Sequence, residues 1–232
     1  MPHEEFSVAG GTGPTMVLLP GWATDGRLFD GIFPGVAAVR SCGPLRPEGF
    51  PDRLAAFLDG AVRGPVTVVG WSLGGFLAAE FAKRHPARVR RLLLIGVRRR
   101  YPAAEVEAVR AALLRGRRAC LSDFYARCFF PSRMREYRAF RGGLQEDYLR
   151  EMDEAGLLEG LSFLAENDFP GSGLPACPVT VVHGGKDVIA PAAEAQGLAG
   201  EAGRATFLLL PEAPHAAFLD EGFRAAAFGS DG

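Results

Sequence analysis

PVTVVGWSLGGFLAAEFA, Pro65 to Ala82, decides the fold. The run Val66 to Val69 is entirely β-branched, the composition of a strand buried in a sheet. It drives into Gly70-Trp71-Ser72-Leu73-Gly74, and the following Leu73 to Arg84 has the apolar spacing of a helix, closed at His85-Pro86 because a residue before proline avoids the α region. G-x-S-x-G in a strand–turn–helix context pushes its serine into a strained but exposed position at the strand end. A plainer role is also open to Ser72, that of capping the helix.

Working outward, short apolar runs closed by glycine or proline recur at Met16 to Gly21, Gly35 to Arg40, Arg91 to Val97, Pro178 to Gly185 and Ala205 to Pro211. Their hydrophobicity is nearly continuous rather than alternating, which marks strands covered on both faces, as in a parallel sheet. Helical sequence such as Phe50 to Val62 fills the gaps, so the expected fold class is α/β, a mostly parallel doubly wound sheet. One interval breaks the rhythm. About eighty residues between Val97 and Pro178 carry helical patterning and no strand, too many for a crossover. They read as an inserted helical cap over residues 98–176, on a core formed by 1–97 and 177–232. Gly43 to Pro51 and Pro170 to Pro178 read as loops.

Composition narrows the function. With 232 residues, 48% hydrophobic, the chain can bury a sizeable core, and its net charge of -1 points to neither nucleic acid nor a membrane surface. The acidic start MPHEEFSVAGG has no basic leader or apolar core, and no later run is long enough to span a bilayer, so a soluble cytoplasmic protein is expected. Cys42, Cys120, Cys128 and Cys177 lack paired spacing and read as reduced thiols. No metal and no cofactor is expected.

A serine hydroxyl is a weak nucleophile that needs a base and a group to orient it. Of the four histidines, His3 lies near the chain start, His85 at a helix end, and His183 at a strand end, where a structural role is the plainer reading. His215, in PEAPHAAF after the last strand, falls on a loop at the sheet's carboxyl edge. Asp187, in HGGKDVIAP, follows the preceding strand in the same way, although a surface turn would also suit it. Ser72, Asp187, His215 is the chain order of an α/β-hydrolase fold. Backbone N–H groups of Leu73 and of Trp22, in LLPGWATDG, are the candidates for an oxyanion hole. Trp22 and Trp71 are candidates to flank the reacting centre with apolar surface, with ordinary core packing as the alternative.

LLPGWATDGRLFD, GWSLGGFLAAEFAKRHPARVRRLLLIG, VVHGGKD and APHAAF together resemble the pimeloyl-ACP methyl ester esterases of biotin synthesis, over about half of the chain. Pro20 stands where many relatives have histidine. The resemblance implies a capped α/β-hydrolase with Trp22, Ser72, Asp187 and His215 in the roles given above, acting on the methyl ester of an acyl chain borne by an acyl carrier protein. Charge bears on this independently. From Arg98 to Arg141 twelve arginines face four acids, a local charge of +8 against -9 for the remainder. Arg98, Arg99, Arg100, Arg110, Arg115, Arg117, Arg118 and Arg127 are thus candidates to steer an acidic carrier, though a solvated basic face is the plainer reading. Tyr125, Phe129, Phe130 and Phe163 are candidates for an acyl channel, although aromatics at helical spacing are usually core. A monomer without nucleic-acid or membrane partners is expected. A general short-chain carboxylesterase or thioesterase with the same triad, and a non-catalytic binding protein of the same fold, are the alternatives.

Overall fold

The computed structural model describes residues 5–169, 177–201 and 205–228. His3 and most of the loop Pro170 to Pro178 lie outside them. Seven strands form one sheet: β1 (Phe6–Ala9), β2 (Thr15–Leu19), β3 (Ala37–Ser41), β4 (Val66–Trp71), β5 (Val89–Ile95), β6 (Val179–Gly184) and β7 (Ala205–Leu210). Their order is β1-β3-β2-β4-β5-β6-β7, with β1 antiparallel to β3 and all other pairs parallel. The six parallel strands fall on the apolar runs of the sequence. In the centre, Val17, Leu19, Val68, Val69, Leu92 to Ile95, Val181 and Val182 are completely buried.

Helices α1 (Phe50–Ala61), α2 (Leu73–Arg84) and α8 (Ala192–Glu201) connect strands that step toward β7, whereas the chain steps the other way from β2 to β3. Right-handed crossovers put these two kinds of connection on opposite faces. On the second face Phe29 and Phe33 meet Phe218 and Phe223 at ring separations of 5.1 and 6.1 Å, Phe223 opening α9 (Phe223–Phe228). Between β2 and β4 the order reverses, and a sheet of this kind opens a crevice at the carboxyl ends of such strands. Trp22 and Ser72 follow those two ends.

Between β5 and β6 lie five helices among the described residues: α3 (Ala103–Arg115), α4 (Arg117–Phe129), α5 (Met134–Gly142), α6 (Leu144–Glu151) and α7 (Glu154–Glu166). They are tied to the loop after β2. The Tyr125 hydroxyl donates to the Ala23 carbonyl (2.7 Å), Trp22 Nε1 to the Leu157 carbonyl (2.9 Å) and the Tyr148 hydroxyl to Asp25 Oδ1 (3.1 Å). A further bond, from Ala216 N–H to the Cys128 carbonyl (3.0 Å), ties α4 to the loop after β7. No helix among the described residues is long and apolar enough to cross a membrane.

Candidate active site

At the junction of β4 and α2, Ser72 has φ +53° and ψ -119°, a conformation that L-residues avoid and that costs on the order of 1–3 kcal/mol. The surroundings enforce it. The Ser72 N–H is held by the Ile95 carbonyl at the end of β5 (2.9 Å), and the Ser72 carbonyl accepts from Gly75 N–H (2.8 Å). Position 74 admits only glycine, since a Cβ there would sit 2.2 Å from the Leu19 carbonyl oxygen at the end of β2. The Ser72 side chain makes no capping bond to α2, so the helix-cap reading does not describe it. Its Oγ lies instead 3.2 Å from the hydroxyl of Tyr101.

Asp187 and His215 form a buried pair. The imidazole Nδ1 lies 2.7 Å from Asp187 Oδ2, with side-chain exposures of 0% and 1%. The other carboxylate oxygen accepts from the N–H groups of Ile189 and Ala190, each at 2.8 Å. Burial alone would raise the Asp187 pKa, but the charge and hydrogen bonds of His215, together with His183, outweigh it and hold the carboxyl well below the usual carboxylate range. A carboxylate at Nδ1 fixes the tautomer with a proton there, which leaves Nε2 as an acceptor. That Nε2 is buried and without a hydrogen-bond partner among the described residues. Gly96, at φ +57°, brings the end of β5 against the imidazole: a Cβ there would lie 3.2 Å from its Nδ1. His183, fully buried, has Nε2 at 2.8 Å from the Ala190 carbonyl and 3.3 Å from Asp187 Oδ2, so it braces the acid's loop from below.

Ser72 and Trp22 open on a cavity of about 760 Å³, within the size range of small-molecule sites. α3, α4 and α7 roof it. The stripe of α4 that faces it is Ala119, Cys120, Asp123, Phe124 and Arg127. Leu121, Tyr125, Cys128 and Phe129 form the opposite stripe and are buried in protein. Helical periodicity therefore corrects the expected acyl channel. Phe124, next to Tyr125, lines the cavity, while Tyr125 binds the Ala23 carbonyl and Phe129 stacks on Tyr137 and Phe140. Phe130 is exposed, and Phe163 packs edge-on to Phe76 away from the cavity lining. Trp71 is likewise absent from the lining. Its Nε1 donates to the His215 carbonyl (2.9 Å) and its ring lies 5.3 Å from the imidazole, because adjacent strand residues point to opposite sides and Ser72 takes the open one.

The arginine patch divides in the same way. Arg98 is buried, bonded to Glu105 and Glu194 (3.0 Å each), so it cannot meet a partner. Arg117 caps the last carbonyls of α6. Arg99, Arg100, Arg110 and Arg118 pair with Glu201, Asp168, Glu107 and Glu146. Arg115 and Arg127 are exposed and sit at the cavity lining. The residue that sequence reading missed is Tyr101. Its aromatic ring after a triple arginine carries no motif, and only the path of the chain from β5 to α3 brings it to Ser72.

A mostly parallel sheet whose serine, acid and histidine all leave carboxyl strand ends, in that chain order, defines the α/β-hydrolase class. The chain belongs to the alpha/beta hydrolase family, whose pattern matches residues 16–228, and within it to the pimeloyl-[acyl-carrier protein] methyl ester esterases. It is 32% identical to the pimeloyl-[acyl-carrier protein] methyl ester esterase of Chromobacterium violaceum over 90% of each chain. With that of Aromatoleum aromaticum it shares 30% over 89% of this chain and 92% of the relative. Among solved structures, a bromoperoxidase from Bacillus anthracis superposes with a TM-score of 0.80 at 19% identity, covering 97% of this chain and 91% of the other. An esterase from Exiguobacterium antarcticum gives 0.78 at 19%, covering 93% and 90%. At these identities the structural likeness is one of fold.

Proposed function

We propose that the chain is a serine carboxylesterase that hydrolyses the methyl ester of a pimeloyl chain carried by an acyl carrier protein, with Ser72 as nucleophile, His215 as base and Asp187 as its orienting acid. The observation that carries this reading is the His215–Asp187 pair, its Nε2 without a partner among the described residues, beside a serine held at positive φ over a cavity. For attack, the Ser72 hydroxyl exchanges its Tyr101 neighbour for Nε2 as acceptor. Oγ then attacks the ester carbonyl as His215 takes its proton, and the resulting imidazolium is stabilised by Asp187. Leu73 opens α2, and the N–H groups of a helix's first turn have no partner within the helix. With the Trp22 N–H it receives the oxyanion, each such donor being worth on the order of 3 kcal/mol. Methanol departs with the proton from His215, and water repeats the sequence on the acyl-enzyme. The carrier approaches the exposed cavity edge, where Arg115 and Arg127 attract its acidic surface.

Labelling by a fluorophosphonate probe tests the nucleophile: stoichiometric labelling is expected, abolished in Ser72→Ala together with ester hydrolysis. Comparing pimeloyl-ACP methyl ester with short nitrophenyl esters tests the substrate. Equal kcat/KM for both, unaffected by salt, would leave only a generalist esterase.

A further inference from the structure

The reacting hydroxyl has a neighbour that the triad does not account for. Tyr101 is 8% exposed, lines the cavity and holds its own hydroxyl 3.2 Å from Ser72 Oγ. The ring is fixed from behind by Arg98, whose guanidinium carbon lies 5.1 Å from the ring centroid. That buried arginine is itself held by Glu105, Glu194 and the Ile189 carbonyl. A buried cation pinned at three points against one aromatic ring makes a rigid support for the phenol.

Sheet order decides what the phenol can reach. β4 lies between β2 and β5, so the chain leaving β2 with Trp22 flanks Ser72 on one side and the chain leaving β5 with Tyr101 flanks it on the other. His215 packs on Gly96, directly after β5, and so shares the flank of Tyr101. In acyl transfer the flank of the backbone donors receives the oxyanion, while the flank of the histidine is where the departing oxygen is protonated. A tetrahedral adduct on Ser72 therefore presents its alkoxy oxygen toward His215 and Tyr101 together.

We propose that Tyr101 is a further catalytic residue, donating a hydrogen bond from its phenol to the departing alkoxy oxygen of the tetrahedral adduct while His215 delivers the proton. The inference rests on the serine-esterase reading above. In the step, the Oγ–carbon bond has formed and Nε2 holds the proton taken from Ser72. The carbon–methoxy bond then breaks, its electron pair goes to the methoxy oxygen, and the Nε2 proton follows it, giving methanol. Tyr101 keeps its own proton throughout. Burial pushes its pKa above the ordinary range, against the opposing pull of Ser72 and Arg98, so the phenol remains a neutral donor at any working pH.

Methoxide is a poor leaving group that needs this help, whereas nitrophenolate departs without protonation. The test is Tyr101→Phe, assayed by kcat/KM, which reports acylation, on the methyl and the p-nitrophenyl ester of one acyl chain. A loss of about tenfold is expected on the methyl ester and less than about twofold on the nitrophenyl ester. Equal losses on both, or none on either, overturn the proposal. Fluorophosphonate labelling checks that the site of the variant is intact. If it is not, site-specific fluorotyrosine at position 101, which keeps shape and donor, is expected to retain the wild-type preference between the two esters, and loss of that preference overturns the proposal. Ser72→Ala separates the two levels: hydrolysis that survives it ends the serine-esterase reading itself, whereas hydrolysis that ends with it leaves Tyr101 to be judged on its own.

Discussion

The carboxyl edge of the sheet and the five helices above it handle polar groups in opposite ways. At the edge, Ser72, His183 and His215 are buried, Asp187 has four polar atoms around its two oxygens, and the geometry descends directly from strand ends. Above it, most charged groups sit at the surface, some of them in ion pairs such as Arg118 with Glu146. The difference separates two tasks. A rigid, water-poor edge can hold a reaction geometry, because electrostatic effects are strongest where the surroundings do not reorganise. An exposed helical surface can tune which molecule arrives, at little energetic consequence to the fold.

The sharpest way to break this contrast is at the edge. Asp187→Asn is expected to lower kcat by about 10⁴-fold with KM little changed, since an amide cannot fix the Nδ1 proton or stabilise the imidazolium. A loss below about tenfold would mean that the edge is not organised around His215. The same variant carries a stability signature. A carboxyl whose pKa is lower in the folded than in the unfolded chain binds its proton more weakly when folded. Its contribution is therefore complete above about pH 4 and is lost as the pH falls through the lowered value. Urea titrations in the acid range are expected to show a shallower pH dependence in Asp187→Asn than in the wild type.

These two regions were also unequally legible in the sequence. Parallel strands read directly because burial on both faces demands unbroken apolar runs, and a strand end fixes where the next residue goes. That is why Ser72, Asp187 and His215 could be located before any coordinates. β1 escaped notice: it has four residues, lies at the sheet edge and has only one fully buried side chain, Phe6. In the helical region, composition marks helices but not which stripe meets the cavity. Tyr125 and Phe124 are neighbours with opposite fates, and the choice depends on the rotation of α4, fixed by contacts such as Tyr125 with Ala23. Arg98 was equally opaque, because a triple arginine gives no sign that its first member turns inward to Glu105 and Glu194 while its third stays outside.

The second test uses that triple. Arg98→Met leaves two carboxylates without their buried partner and removes the support behind Tyr101. A destabilisation of about 2 kcal/mol is expected, below the roughly 3–5 kcal/mol of a fully buried pair because Glu105 can turn to water. In thermal unfolding this amounts to roughly 4–8 °C. Arg100→Met, which disturbs only an exposed pair, is expected to cost less than about 0.5 kcal/mol. Similar losses from both would erase the distinction between inner and outer arginines.

The smallest effect belongs to the surface and is recognisable by its salt dependence. Arg115 and Arg127 are exposed at the cavity lining; among the described residues the side chain of Arg127 makes a long contact, 3.5 Å, to the Val188 carbonyl. Their charge is thus available to an approaching molecule, whereas that of Arg118 is already engaged by Glu146. Exposed pairs contribute about 0 to 1 kcal/mol each, so Arg115→Glu with Arg127→Glu is expected to lower kcat/KM for a carrier-linked methyl ester about fivefold at low salt. At around 1 M salt, where the screening length shrinks to about 3 Å, the deficit is expected to vanish. For a small nitrophenyl ester the double variant is expected to match the wild type at every ionic strength, because the Ser72 edge is untouched. A loss shared by both substrates and indifferent to salt would mean that these arginines shape the cavity rather than steer what enters it. The helical region would then belong to the reaction geometry after all.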